Sequence, residues 1–139
     1  MRATFATASC LILASCGSEG GPITVRDATV TLPAVSGRPG AAYFVIETDR
    51  ETRLVGVTSP AAGRIELHET GMRPAASFAL TRREPLRFRP GGRHAMLFGL
   101  DPTLRPGGRV TLTFAFEGGL PPVTAEAEVR APGDHPSQH

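Results

Sequence analysis

The sequence predicts an all-β protein built as an antiparallel β-sandwich. Its 139 residues include 16 Gly and 13 Pro, which divide the chain into short segments. Between these breaks, apolar and polar residues alternate with the period of two that is typical of half-buried strands. No long stretch shows a helical period, so several short strands at regular spacing favour a sandwich.

The chain begins with a segment that resembles a bacterial lipoprotein signal. Residues 1–15 hold one Arg and a short apolar run that is too short to span a bilayer. Leu13-Ala-Ser-Cys16 resembles a lipobox, in which Cys16 becomes the acylated first residue; the alternative is an ordinary signal peptide with an incidental Cys. Residues 16–22 then form a flexible tether, and we expect a periplasmic protein that is lipid-anchored to the bacterial membrane.

The strands of the domain, expected over residues 23–130, follow in order. Ile23 and Val25 alternate with polar residues, whereas the segment 43–47 is apolar on both faces, which predicts a central strand with Tyr43 in the core. Segments 54–57, 64–68 and 86–88 are the next candidates. The last two strands alternate most regularly, with apolar residues on one face of each: Val110, Leu112, Phe114 and Phe116, then Val123, Ala125, Ala127 and Val129.

Composition argues against several functional classes. The fifteen basic residues are all Arg, alternate with 13 acidic residues and leave a net charge of +2, so no nucleic-acid partner is expected. With Cys10 in the signal and Cys16 acylated, the mature chain has no free thiol, which excludes blue-copper and Cys-based zinc sites. No nucleophile accompanies His68 and its neighbouring Glu, so we expect a binding protein and no enzyme. We also expect this protein to be a monomer.

Candidate metal ligands are concentrated in one segment of the domain, residues 64–100. Both internal His, His68 and His94, and both internal Met, Met72 and Met96, lie within this segment. Thioether sulfur is a soft donor that suits Cu(I), and imidazole is a good partner for it. Because alternate residues of a strand share a face, His94 and Met96 point the same way. A single Met is usually a core filler and a single His a surface residue, but the four together predict a Cu(I) site.

The same residues carry a resemblance to a known family. His68-Glu-Thr70 and the later run Pro90-Gly-Gly-Arg-His-Ala-Met96 are similar to the motifs of the PCuAC family, the periplasmic copper chaperones that serve the CuA centre of cytochrome oxidase. The resemblance covers roughly residues 22–130. It implies a cupredoxin-like antiparallel β-sandwich of Greek-key topology. It also implies that His68, His94 and Met96 bind Cu(I) for delivery to an acceptor protein such as a cytochrome oxidase subunit.

The fourth ligand of the family pattern, a Met, is missing from its expected place. The hydrophobic register puts Leu80 there, and a Leu side chain cannot bind a metal. Met72 either supplies the replacement sulfur or packs at the apolar end of the sandwich. The alternative function is therefore a lipoprotein of the same fold that binds another envelope protein and has lost metal binding.

The last segment, residues 131–139, is polar and rich in Pro, and we expect it to be disordered. It holds the two remaining His, His135 and His139. These either capture copper weakly or belong to an inert tail.

Overall fold

A computed structural model describes residues 22–134, so Cys16, His135 and His139 lie outside the described residues, as do the predicted signal and most of the tether. Within this range the chain forms strands and no helix, and hence none long and apolar enough to cross a membrane. The prediction of an all-β fold is confirmed. The strands are β1 (Thr24–Thr31), β2 (Gly40–Glu47), β3 (Thr52–Thr58), β4 (Arg64–Glu69), β5 (Arg73–Pro74), β6 (Phe78–Leu80), β7 (Leu86–Phe88), β8 (His94–Phe98), β9 (Arg109–Phe116) and β10 (Val123–Arg130).

All ten strands belong to one sheet with the order β5-β4-β8-β2-β1-β10-β9-β3-β6. One edge of β2 pairs with β1, and its other edge pairs with β8 and then with β7. Every pair is antiparallel except β1–β10, which is parallel, so the sheet is mixed rather than wholly antiparallel. Local turns make sequence neighbours antiparallel, but no hairpin constrains the first and last strands.

The core lies inside the curl of this sheet. Phe44 of β2 stacks on Phe88 of β7 with the ring centroids 4.4 Å apart, and it meets the edge of Phe114 at 4.8 Å. Phe114 belongs to β9, three places from β2 in the sheet, so this contact is made across the interior. Burying a large apolar side chain completely contributes about 1.5–3 kcal/mol. The alternating apolar residues predicted for the last two strands lie on the side that faces this core.

The opposite side of the strands, which we call the outer face, carries the polar residues. On β2, Ala42, Phe44 and Ile46 point inward and are 0–1% exposed. Alternation therefore places Ala41 and Tyr43 on the outer face. The prediction that Tyr43 belongs to the core is wrong, because the all-apolar segment concealed which of its two faces is inward. Tyr43 is half-buried there, and this burial raises the pKa of its phenol.

Candidate metal centre

The pairing of β4 with β8 brings the two predicted His ligands together. In this antiparallel register His68 lies opposite His94, and Glu66 lies opposite Met96. The two imidazole centroids are 5.2 Å apart with the ring planes tilted by 43°. This spacing leaves room for one ion with metal–nitrogen bonds of about 2 Å to each ring. The inward neighbours Leu67, Ala95 and Leu97 are at most 6% exposed, which confirms the predicted faces.

Each imidazole has one nitrogen in a hydrogen bond and one without a partner. His94 Nδ1 lies 2.9 Å from the carbonyl oxygen of Gly92 and donates to it, which leaves the lone pair on Nε2. His68 Nε2 lies 3.3 Å from Glu66 Oε2, which leaves the lone pair on Nδ1. Both free nitrogens are buried and have no hydrogen-bond partner among the described residues. Metal-binding His residues have this arrangement, because the second nitrogen of the ring is fixed by a protein acceptor.

Glu66 holds the ring of His68 in place. Its carboxylate accepts a hydrogen bond from Arg64 Nε at 2.9 Å and lies 3.3 Å from His68 Nε2. The bonds from Arg64 first and from His68 second lower the pKa of the Glu66 carboxyl. Glu66 was not among the predicted metal-site residues. The Glu-x-His spacing on one strand was the signal, because residues two apart share a face.

The turn between β7 and β8 positions His94. Gly92 N donates to the carbonyl of Arg89 at 3.0 Å, and Arg89 N donates to the carbonyl of Arg93 at 2.8 Å. Gly91 has a φ of 78°, as expected for the third residue of a type II turn whose second residue is Pro90. This turn directs the Gly92 carbonyl toward the ring of His94. The Pro-Gly-Gly run therefore orients a candidate ligand.

A groove of about 370 Å³ opens beside these side chains on the outer face. His94, Met96 and Met72 line it, whereas the buried His68 is not among its lining residues. Met72 lies in the loop between β4 and β5, is 56% exposed, and has a φ of 66°. Left-handed backbone costs roughly 1–2 kcal/mol for a residue with a side chain. The remaining lining residues are Pro39, Gly40, Ala41, Tyr43, Gly71, Gly91 and Gly92.

Leu80 lies in a different part of the molecule. It belongs to β6, pairs with Thr52 of β3 at the far end of the sheet order, and is 2% exposed within the apolar core. Its neighbour Phe78 also lies in the core, under the guanidinium of Arg93 at 5.5 Å. Met72, and not the residue at position 80, lines the groove beside His94 and Met96.

The donor set limits which metal this face can bind. Among residues 22–134, no group of three or more His, Cys, Asp or Glu side chains could hold an ion. A site on this face therefore depends on thioether sulfur from Met96 or Met72 in addition to the two imidazoles. Soft thioether ligands favour Cu(I) over Ca²⁺ or Mg²⁺, which prefer oxygen.

Two comparisons relate this chain to a protein family and to a solved structure. The family model described as "Putative lipoprotein LpqE-like" matches residues 23–130. The solution structure of CuI-DR1885 from Deinococcus radiodurans is 30% identical, with a TM-score of 0.68, and the match covers 83% of each chain. No curated protein matches the sequence significantly.

Two further structures share the fold. The copper-bound PCuAC domain from PmoF2 has 24% identity and a TM-score of 0.70, over 81% of this chain and 96% of that domain. The apo PCuAC domain from PmoF1 has 22% identity and a TM-score of 0.71, over 82% of this chain and 98% of that domain. At this level of identity the likeness concerns the fold.

Proposed function

This chain belongs to the LpqE-like family and is a divergent member of the PCuAC family, and from that premise we propose that it is a copper-binding chaperone of the bacterial envelope. It binds one Cu(I) through His68, His94, Met96 and Met72 and delivers the ion to an acceptor protein. A respiratory oxidase subunit or a related copper protein is the acceptor that the family suggests. The role is binding and transfer, without catalysis.

The observation that carries this proposal is the pair of unpartnered imidazole nitrogens on the face whose groove is lined by His94, Met96 and Met72. A buried polar atom without a partner costs about 1–3 kcal/mol, so such atoms are rare unless a ligand completes them. The four donors are neutral, and the groove leaves one side of the ion open. Copper held in this way remains accessible to the ligands of a second protein, as transfer requires.

A competition titration tests the proposal. Full-length protein is mixed with a Cu(I) chelator under reducing conditions, and removal of copper from the chelator is followed by absorbance. We expect one Cu(I) to be bound and no Zn²⁺ at the same concentration, because the site offers no thiolate or carboxylate cluster. Absence of competition at micromolar protein would refute copper binding.

The second candidate function is an interaction module that has lost the metal. The observation in its favour is that the Met of the family pattern is missing: Leu80, its expected counterpart in the sequence, is buried in the core away from the metal groove. The same titration separates the two functions. An interaction module would leave the chelator loaded, and replacing Met96 would then have no effect on copper.

We further propose that the protein is anchored to the membrane through an acylated Cys16. Leu13-Ala-Ser-Cys16 supports this, as does membership of a family described as lipoproteins. Mass spectrometry of protein expressed in a lipoprotein-processing host should show a diacyl or triacyl Cys at the mature N-terminus. Cys16→Ala should release the protein from the membrane or leave an unprocessed precursor, and a native chain with an unmodified N-terminus would contradict the proposal.

A further inference from the structure

A second and larger groove, of about 870 Å³, lies on the same outer face as the metal groove. Four Arg and two acidic residues contribute to it, and Tyr43 lines both grooves. We call it the arginine groove. Its lining residues are Arg26, Asp27, Ala28, Thr29, Tyr43, Phe44, Val45, Arg87, Phe88, Arg89, Pro90, Glu128 and Arg130.

Strand β2 connects the two grooves. Ala41 pairs with Met96 in the metal groove, whereas Val45 pairs with Arg87 of β7. Tyr43 lies midway, with about 7 Å of strand on each side. Cross-strand partners point to the same face, so the side chain of Arg87 lies on the face that carries Met96. A protein that contacts the metal groove therefore extends over the arginine groove as well.

Two of the four Arg side chains have no acidic partner in the described part of the chain. Arg26 forms an ion pair with Glu47 at 3.0 Å, and Arg130 reaches Glu128 at 3.4 Å. Arg87 and Arg89 are exposed and take part in no ion pair between residues 22 and 134. The arginine groove therefore holds two guanidinium groups whose charge is not balanced locally.

Buried groups in the wall of the arginine groove also lack an acceptor. Thr29 is 5% exposed, and its hydroxyl has no hydrogen-bond partner among the described residues. The same is true of Arg130 Nε, a guanidinium N–H that can only donate. The groove thus presents donors in excess of acceptors. A ligand rich in anionic oxygen atoms would satisfy them.

We propose that the arginine groove docks an acidic segment of the copper acceptor, which brings the acceptor's own ligands over Met96 and His94. Guanidinium groups bind carboxylates in a bidentate manner, which gives orientation as well as attraction. Complementary charge beside the transfer site also accelerates encounter. An acidic protein fits better than a lipid surface, because a membrane covering this face would close the metal groove to the acceptor. The proposal rests on the proposed function.

Poly-L-glutamate serves as the probe for this surface, and full-length protein is titrated with it at low ionic strength. Tyr43 is the only Tyr of the chain, which has no Trp, so its fluorescence reports binding directly. We expect saturable binding that weakens as salt is added. The double variant Arg87→Gln/Arg89→Gln should bind at least about tenfold more weakly, since two charge-assisted contacts are lost.

The matched control is Arg82→Gln/Arg83→Gln, which removes the same charge from the loop before β7, outside the groove. It should change the affinity for poly-L-glutamate by less than about threefold, because exposed charges contribute little at a distance. Equal losses in the two double variants would overturn the proposal. So would a groove variant that loses binding to phosphatidylglycerol vesicles but keeps binding to poly-L-glutamate.

Cu(I) competition on the same samples separates this proposal from the proposed function. Arg87→Gln alone should still weaken the binding of poly-L-glutamate, and it should keep the Cu(I) affinity of the wild type, because Arg87 lies outside the turn that positions His94. Protein that binds poly-L-glutamate through the groove but binds no Cu(I) would refute the copper function alone. Protein that binds Cu(I) but not poly-L-glutamate would refute the docking surface alone.

Discussion

The strand pairs β4–β8 and β9–β10 have the same construction but different outer faces. In both, apolar residues point inward and polar residues outward across an antiparallel register. On β9–β10 the outward groups satisfy one another, as Thr111 Oγ1 donates to Glu126 Oε1 at 2.6 Å. On β4–β8 the outward imidazoles of His68 and His94 each keep one buried nitrogen without a partner among the described residues. The first face is stabilised by its own contacts, whereas the second is incomplete without a ligand.

This difference shows how the protein balances stability and binding. Satisfied polar pairs on a solvated face stabilise the sheet slightly. Buried, unpaired nitrogens and the left-handed backbone at Met72 each lower the stability of the metal-free fold. Substitutions of outward-facing residues on β4–β8 should therefore reduce metal binding with little loss of stability, and those of outward-facing residues on β9–β10 should do the reverse.

The largest effect is expected at His94. His94→Leu removes a ligand, so the Cu(I) affinity should fall by more than about a hundredfold, beyond the loss typical of an outer-shell residue. The free energy of unfolding of the metal-free protein should change by less than about 1.5 kcal/mol, since an unsatisfied nitrogen is also removed. Thr111→Val on β9 is the contrasting variant. Its Cu(I) affinity should be unchanged, whereas its free energy of unfolding should fall by about 0.5–1.5 kcal/mol. Chelator competition measures the Cu(I) affinity, and denaturant unfolding measures the free energy of unfolding. Wild-type Cu(I) affinity in His94→Leu would contradict the proposed difference between the two faces.

Replacing Met96 tests the sulfur ligand itself. Met96→Leu conserves volume and should cost under about 1.5 kcal/mol of fold stability. It should weaken Cu(I) binding about tenfold or more, because Cu(I) prefers the soft thioether that is lost. Leu97→Met, one residue further but on the inward face, adds a sulfur that the groove cannot use and should leave affinity unchanged. Equal Cu(I) affinities for Met96→Leu and the wild type would exclude Met96 as a ligand.

The role of Met72 is resolved by two substitutions with different effects on stability. Met72→Leu should weaken Cu(I) binding with little change in melting temperature, because the side chain is 56% exposed. Met72→Gly should also weaken binding but raise stability by roughly 1 kcal/mol, since Gly adopts a positive φ without strain. Leu80→Met should not restore affinity, because position 80 points into the core. Unaltered Cu(I) affinity in both Met72 variants would leave a site of His68, His94 and Met96.

The smallest effect concerns a carboxylate on the loop that follows β8. Asp101 accepts hydrogen bonds from the backbone N–H and the hydroxyl of Thr103, which lower the pKa of its carboxyl below the ordinary 3.8. Since the folded pKa is the lower one, this stabilisation is present above the ordinary value and is lost as pH falls through the folded value. Asp101→Asn should slightly flatten the acid side of the stability profile, leaving Cu(I) affinity at neutral pH unchanged. A steeper acid side in the variant would contradict the assignment.

Period-two patterning predicted the fold well because it records which face of a strand is buried. It placed His94 and Met96 on one face before any register was known. It failed at Tyr43, where an apolar segment gives no contrast between faces. The parallel β1–β10 pair was not predictable either, since it depends on where distant strands meet.

The sequence pattern predicted which candidate side chains share a face but not how they are held in place. The Glu-x-His spacing puts Glu66 on the face of His68, but the contact between them depends on side-chain rotamers. The contact of the Gly92 carbonyl with His94 depends on the turn before β8. The sequence pattern also left Met72 undecided, since a loop residue has no register. Only the three-dimensional arrangement places Met72 in the wall of the same groove as Met96.

X-ray absorption spectroscopy of the Cu(I)-loaded full-length protein tests the central claim most directly. The copper edge should identify Cu(I), and the first shell should contain both nitrogen from imidazole and sulfur from thioether. The sulfur contribution should decrease in Met96→Leu, while the nitrogen contribution remains. A first shell of nitrogen and oxygen alone, in protein that retains copper against a chelator, would contradict the account.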